Sequence, residues 1–203
     1  MNKEFSAPIA SPATSTSVAP WLRTAAVILG GNALLALCAH LALPLWFTPV
    51  PLTVQPFAVL LLGLLLTPRM AAATLCAYLA EGAMGLPVFA PAATIGLAHL
   101  LGPTGGYLMA YPIAALLISF LFARSARTFA MALVSAALGD LLILVGGSAW
   151  LAALTHTAAH TSAQSVLTLS LFPFLPGDAI KVAAAAALAF GLQRFRAKSS
   201  QSA

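Results

Sequence analysis

Residues 175–195 read LPGDAIKVAAAAALAFGLQRF, a run of mostly small apolar residues with one acid and one base near its start. The run matches the roughly 20 residues that a helix needs to cross a lipid bilayer. Asp178 and Lys181 lie three residues apart, so both side chains fall on one face of that helix. A charge inside a membrane helix is costly and is by default a sign of a functional site. This stretch therefore predicts a membrane protein with a polar site near one end of its last helix.

The composition of the whole chain agrees with a membrane protein. The 203 residues are 61% apolar and 6% charged, and their mean hydropathy is +1.00. Soluble domains carry roughly 25% charged residues. The basic residues outnumber the acidic ones, nine to four, but they are single and scattered, which is typical of membrane-helix flanks rather than of a nucleic-acid surface. We therefore expect the lipid bilayer, and no nucleic acid, as the chain's surroundings.

Six apolar stretches predict an all-α membrane protein with six transmembrane helices. Residues 1–20, rich in Ser, Thr, Ala and Pro, are predicted to be a disordered tail. Residues 21–197 are predicted to form the transmembrane domain, and residues 198–203 a C-terminal cytoplasmic tail. The predicted helices cover, approximately, residues 23–45, 54–66, 69–85, 106–123, 128–145 and 177–195.

The positions of the basic residues predict the orientation of these helices. With the N-terminus inside the cell, Arg69, Arg124 and Arg127 fall in inner connections, and the basic C-terminal tail also lies inside. The connections assigned to the outside, 48–54, 86–105 and 146–176, contain no Lys or Arg. An excess of positive charge on the cytoplasmic side is the rule for membrane proteins. Both termini are therefore predicted to be cytoplasmic, and Lys181 is the one basic residue that does not fit.

Four ionisable residues converge in the outer half of the predicted bundle. Counted at 1.5 Å per residue from the nearest inner arginine, Glu81, Asp140 and Lys181 each lie about 18–20 Å outward, and Asp178 lies one turn further. These positions predict an outward-facing polar pocket for a small polar or anionic solute. The alternative is that Asp178 and Lys181 only pair with each other, and that Glu81 and Asp140 are protonated packing residues.

Two polar residues nearby are candidates for the same pocket. Gln55 begins the second predicted helix, just after the Pro-rich segment 48–53, and its amide can contact a ligand or cap irregular backbone. Tyr78 lies one turn inward of Glu81 on the third predicted helix, where it can stack on a ligand or pack between helices.

Several other patterns point away from metal and catalytic chemistry. His156, His160 and Gln164 repeat at helical spacing within 148–166, a stretch interpreted as an interfacial lid; no acidic or Cys partner is near, so no metal site is predicted. The sequence contains no P-loop motif for ATP hydrolysis and no zinc-protease motif. Small residues recur every four positions at Ala26 and Gly30, and at Ala183, Ala187 and Gly191. Such stripes serve either packing within the chain or docking of a partner subunit.

Four motifs in order make the chain resemble the BioY family, the biotin-specific membrane components of energy-coupling-factor (ECF) transporters. They are Pro-Val-Pro-Leu-Thr-Val-Gln at 49–55, Gly-Leu-Pro-Val-Phe at 85–89, Gly-Pro-Thr-Gly-Gly-Tyr at 102–107, and Pro-Gly-Asp with Lys at 176–181. The resemblance covers nearly the whole chain after residue 21.

The resemblance implies a substrate-binding (S) component that takes up biotin across the cytoplasmic membrane of a prokaryote. It implies a transmembrane coupling subunit and two ATPase subunits as partners, no cofactor and no catalysis; a homo-oligomer is left open. It places the family's acid and lysine on Asp178 and Lys181, and Gln55, Phe89 and Tyr107 are further site candidates. Pro91 stands where a polar residue is expected, so Tyr78, Glu81 or Thr94 is left to complete the ligand contacts.

Chemically, the ligand carboxylate is expected at Lys181 and at the helix N-terminus beside it, and the ureido N–H groups at Asp178. Two other functions are considered. One is a solitary biotin carrier without ATPase partners, and the other is an intramembrane aspartyl-type enzyme that uses Asp140 and Asp178.

Overall fold

A computed structural model describes residues 19–92, 94–159 and 163–201, and the fold is a bundle of helices. The predicted tail 1–20 lies almost entirely outside the described residues, and so do the side chains of His156, His160 and Gln164. The helices are α1 (Pro20–His40), α2 (Gln55–Leu65), α3 (Pro68–Ala83), α4 (Leu97–Leu100), α5 (Gly105–Ala123), α6 (Phe129–Ala159), α7 (Ala163–Ser170) and α8 (Leu175–Gln201).

Each of the six predicted helices has a counterpart, in α1, α2, α3, α5, α6 and α8. Among the described residues, α1, α5, α6 and α8 are long and apolar enough to cross a membrane. Helix α2 has 11 residues and α3 has 16, so they extend for only about 16 and 24 Å. The structure therefore confirms a helical membrane protein, and by length it supports four spans.

The Pro-rich segment after the first helix folds as a small ribbon. The predicted first helix ran to residue 45, which is wrong: α1 ends at His40, and β1 (Ala42–Leu43) pairs antiparallel with β2 (Leu52–Thr53). Pro44, Pro49 and Pro51 cannot donate helical hydrogen bonds, so the chain turns back here. The ribbon places Thr53 and Gln55 at the start of α2.

Helix α6 is longer than the sequence predicted. It was expected to end at Val145, and the following residues were interpreted as part of a lid; instead it continues without a break to Ala159. The predicted end falls just before Gly146 and Gly147. In the structure, a Cβ at Gly147 would overlap the ring of Tyr107. These glycines allow α5 and α6 to approach closely, and they do not end the helix.

Four of the basic residues lie at one end of the bundle, here called the basic end. The α2–α3 turn, the end of α5, Arg127 and Gln193 of α8 line one groove there, and the Ser119 hydroxyl donates to the Leu66 carbonyl at 2.6 Å. Arg69, Arg124, Arg127 and Arg194 are exposed. The ribbon and the chain around residues 169–174 lie at the opposite end, joined by the Thr48 hydroxyl, which donates to the Leu169 carbonyl at 2.7 Å.

Candidate functional site

A cavity lies at the end of the bundle opposite the basic end. Its empty space, counted together with its opening to solvent, is about 570 Å³. The ribbon and the helices α2, α5, α6 and α8 all contribute to its wall. The polar and aromatic residues that line it are Thr53, Gln55, His99, Thr104, Tyr107, Tyr111, Asp140, Phe174, Asp178 and Lys181.

Asp178 and Lys181 form an ion pair in the wall of this cavity. The Lys181 ammonium donates to Asp178 Oδ1 at 2.7 Å, and the two side chains are only 12% and 5% exposed. Their spacing of three residues on α8 produces this contact. Asp178 and Lys181 thus pair with each other and also line the cavity, and a role in ligand binding stays a prediction. The pairing is unlike the proton-sharing acid dyad that an aspartyl-type enzyme needs.

Asp140 of α6 lines the same cavity. It is 6% exposed, and its Oδ1 atom has no hydrogen-bond partner among the described residues. The sequence placed Asp140 at the correct depth but gave no reason to rank it as a ligand contact. The spacing of Asp140, Ile143 and Leu144, all of which line the cavity, is the helical pattern that indicates this face of α6.

Gln55 lines the cavity, and Tyr78 hydrogen-bonds to Gln55 on the side away from the cavity. The Gln55 amide donates to the Tyr78 hydroxyl at 2.8 Å, and that hydroxyl donates to the Val88 carbonyl at 2.6 Å. Tyr78 is fully buried and does not line the cavity. Its geometry is that of a positioning residue that fixes the Gln55 side chain.

Aromatic side chains form the apolar part of the cavity. Tyr107 and Tyr111 lie one turn apart on α5, and the Tyr107 hydroxyl donates to the Ser170 carbonyl at 2.6 Å. The Tyr107 and Phe174 rings are 6.2 Å apart. Tyr111 and Phe174 were not among the sequence candidates. The spacing of four residues between the two tyrosines was the signal that could have indicated Tyr111.

His99 is a further lining residue that sequence reasoning missed. It is buried in the short helix α4, and its ring stacks on Phe89 with the centroids 5.1 Å apart. Its Nε2 lies 3.3 Å from the Thr104 hydroxyl, and its Nδ1 lies 3.2 Å from the Thr94 carbonyl. Nothing in the local sequence around residue 99 marks this histidine as unusual.

Phe89 and Thr94 lie beside the cavity rather than in its wall. Phe89 packs edge-to-face against Tyr78, with centroids 5.4 Å apart, so it supports two residues of the site from the core. Thr94 lines a neighbouring cavity near the ribbon. The structure thus brings Gln55, Tyr107, Asp178 and Lys181 together in one cavity wall.

Glu81 points elsewhere. The Asn32 amide of α1 donates to Glu81 Oε1 at 2.7 Å, so this carboxylate lies between α1 and α3 and does not line the cavity. Within the described ranges, no three His, Cys, Asp or Glu side chains are grouped to hold a metal ion.

Membrane-length helices around one partly enclosed polar cavity are the architecture of a membrane protein that binds small molecules. The chain belongs to the BioY family, whose profile matches residues 5–198. It is 37% identical, over 71% of its length and 82% of the relative, to a probable biotin transporter BioY of Pyrococcus horikoshii. It is 34% identical, over 80% of its length and 91% of the relative, to the biotin transporter BioY of Thermotoga maritima.

A solved structure shares the fold. The S-component for biotin from an ECF-type ABC transporter superposes with a TM-score of 0.77 at 25% identity, covering 89% of this chain and 95% of that one. This match and the family membership confirm the resemblance inferred from the four sequence motifs.

Proposed function

We propose that this protein binds biotin with high affinity and takes it up across the cytoplasmic membrane as an S component. The observation that carries the proposal is the cavity, in which the two sequence motifs 49–55 and 176–181 meet. The relatives named above as biotin transporters, and the matched S-component for biotin, supply the ligand's identity.

The cavity has the chemistry that biotin requires. A fused bicycle and an aliphatic chain need apolar and aromatic walls, and Tyr107, Tyr111, Phe174 and Leu144 offer them. A cyclic urea and a carboxylate need hydrogen-bond donors and acceptors, and Gln55, Asp178 and Lys181 offer them. Transport changes no covalent bond, so the proposal requires neither a catalytic residue nor a cofactor.

The proposed topology has six spans with both termini in the cytoplasm. The clustering of Arg69, Arg124, Arg127 and Arg194 at the basic end supports it, because positive charge favours the cytoplasmic side. The cavity then opens at the outer face. The short helices α2 and α3 complete the six spans together with the ribbon and the loop after α3.

The proposed partners are a transmembrane coupling subunit and two ATPase subunits. Both small-residue stripes are exposed. They are Ala26 and Gly30 on α1, and Ala183, Ala187 and Gly191 on α8. A Cβ added at Gly30 or Gly191 would meet nothing within 4 Å. These stripes are therefore free for another helix to approach closely. The alternative, a solitary carrier, needs no such surface.

Equilibrium binding of radiolabelled biotin to the purified full chain in detergent tests the ligand. We expect tight, saturable binding that unlabelled biotin displaces and that other small carboxylates do not. A folded preparation that binds no biotin would refute the proposal.

Uptake tests the partners separately. Ala26→Leu combined with Gly30→Leu should abolish uptake in cells that express the coupling and ATPase subunits, while the purified variant still binds biotin. Val27→Leu on the same helix is the matched control, because it adds bulk beside the stripe. Uptake that persists in cells lacking coupling proteins would favour the solitary carrier.

A further inference from the structure

Asp140 lines the cavity with a fully buried carboxylate oxygen, Oδ1, that has no hydrogen-bond partner among the described residues. It is 94% buried, which is the complement of its 6% exposure. Asp178, in contrast, already accepts a hydrogen bond from Lys181. A buried carboxylate oxygen without a donor costs about 1–3 kcal/mol or more, so the folded chain gains if a ligand supplies the donor.

The directions of the helices place Asp140 at the inner end of the cavity, nearest the basic end. Helices α5 and α8 run toward the basic end, and α6 runs away from it. Lys181 is therefore about 4.5 Å deeper than Asp178, Tyr111 is about 6 Å deeper than Tyr107, and Asp140 is about 4.5 Å deeper than Ile143. We call Asp140, Asp178 and Lys181 the inner trio.

The charge of the inner trio decides which end of a ligand it suits. Two carboxylates and one ammonium sum to −1 when both acids are ionised and to zero when Asp140 carries a proton. In neither state is the trio positive, and the Lys181 ammonium already faces a carboxylate at 2.7 Å. A third carboxylate, from the ligand, would meet like charge at short range.

We propose that Asp140 is a further ligand-binding residue, which accepts a hydrogen bond from a ureido N–H of the ligand. This rests on the proposed function, biotin binding in this cavity. The cyclic urea enters first, its two N–H groups facing Asp140 and Asp178, and its carbonyl accepts from Lys181. This orientation is the reverse of the one expected from the sequence, which placed the ligand carboxylate on Lys181.

The ligand carboxylate then lies toward the mouth of the cavity. Thr53, His99 and Thr104 also line the cavity. His99 and Thr104 hydrogen-bond to each other, and the Thr53 hydroxyl can donate a hydrogen bond to the ligand carboxylate. The inner trio binds the uncharged polar end of the ligand.

The test measures the affinity of the full chain in detergent for three probes. They are biotin, biotin carboxamide, which lacks the tail charge, and 2-iminobiotin, whose guanidino group replaces the urea and becomes a cation when protonated. Asp140→Asn should weaken biotin and biotin carboxamide equally, by about tenfold or more. The same variant should weaken the binding of protonated 2-iminobiotin further, because a carboxylate forms a stronger hydrogen bond with a cation than with a neutral N–H.

Ser135→Ala is the matched control. Ser135 lies on the same helix, is fully buried, and has an unpartnered hydroxyl in the described structure, but it does not line the cavity. This variant should bind all three probes like the unmodified chain. Asp140→Glu keeps the carboxylate and should retain the unmodified chain's ratio of 2-iminobiotin affinity to biotin affinity. The ratio of two affinities measured on one sample does not depend on the fraction of folded protein.

Two results would overturn the proposal. In the first, Asp140→Asn binds all three probes as the unmodified chain does. In the second, Asp140→Asn binds biotin more tightly while its affinity for biotin carboxamide is unchanged, which would place the ligand carboxylate beside Asp140. An unmodified chain that binds none of the probes would instead refute the proposed function.

Discussion

Two polar clusters inside the bundle arise from similar sequence signals but differ in their surroundings. The inner trio lines a cavity, whereas Glu81 accepts a hydrogen bond from Asn32 between α1 and α3 and does not line that cavity. Both begin as isolated acids in apolar helices. The difference shows that depth and charge identify buried polar positions, while the partner helix decides whether a position serves a ligand or joins two helices.

The largest expected effect is on the Asp178–Lys181 ion pair, where ligand binding and protein stability should respond differently to single and double variants. Asp178→Asn and Lys181→Met should each weaken biotin binding by about 100-fold or more, since each removes a charged hydrogen-bonding group. Each should also lower stability by about 3 kcal/mol, because the remaining charge is left unpaired. The double variant should recover much of this stability and still fail to bind, as read by thermal unfolding and equilibrium binding. Glu81→Gln, the control in the other cluster, should bind biotin within about threefold of the unmodified chain.

The next effect concerns two glycines that let an aromatic ring approach a helix. A Cβ at Gly147 would overlap the Tyr107 ring in the cavity wall, and a Cβ at Gly82 would overlap the Phe89 ring in the core. Both Gly→Ala changes should destabilise the protein by about 1–3 kcal/mol. Gly147→Ala should in addition weaken biotin binding, and Gly82→Ala should weaken it less, because Phe89 lies beside the cavity rather than in its wall.

Gly30→Ala is the control for both glycine variants. A Cβ at Gly30 meets nothing within 4 Å, so the helix gains up to about 1 kcal/mol from alanine. Thermal unfolding and binding to the folded fraction provide the two measurements. Equal loss of affinity in Gly82→Ala and Gly147→Ala would show that the core and the cavity wall are not separable here.

The sequence was sufficient for the parts of the site that depend on spacing along one helix. Asp178 and Lys181 are three residues apart on α8, so their shared face follows from helical geometry alone. The assignment of Glu81 to a polar pocket followed from depth, but depth does not give rotation about the helix axis. The helix α3 turns Glu81 toward α1, and that rotation depends on packing between elements far apart in sequence.

The extent of α6 and the position of His99 in the cavity wall could not be predicted from the sequence, again because they depend on packing between elements. Gly146-Gly147 resembles the end of a helix when it is viewed alone, and only the Tyr107 ring explains why the helix continues through it. His99 reaches the cavity because the loop after α3 folds back onto α5, with His99 and Thr104 in contact. Such long-range packing overrides local signals.

A smaller effect is expected at the bond between α1 and α3. Double-mutant cycles of interhelical hydrogen bonds in membranes average about 0.6 kcal/mol and reach about 1.7. A cycle of Asn32→Ala and Glu81→Ala should give a coupling energy in this range, measured by unfolding in detergent. Biotin affinity should change little in any member of the cycle. A coupling near zero, or a parallel loss of affinity, would contradict the purely structural role of this cluster.

The smallest effect is expected at Tyr78, whose hydroxyl connects the two regions. Tyr78→Phe removes the acceptor for the Gln55 amide and the donor to the Val88 carbonyl. Because Tyr78 does not line the cavity, affinity should fall only about two- to fivefold, through the loss of Gln55 positioning. In a Gln55→Ala background, Tyr78→Phe should therefore have no further effect on affinity. If the two changes were additive, Tyr78 would contact the ligand itself. Tyr78 would then belong to the cavity wall rather than to the helix contacts behind it.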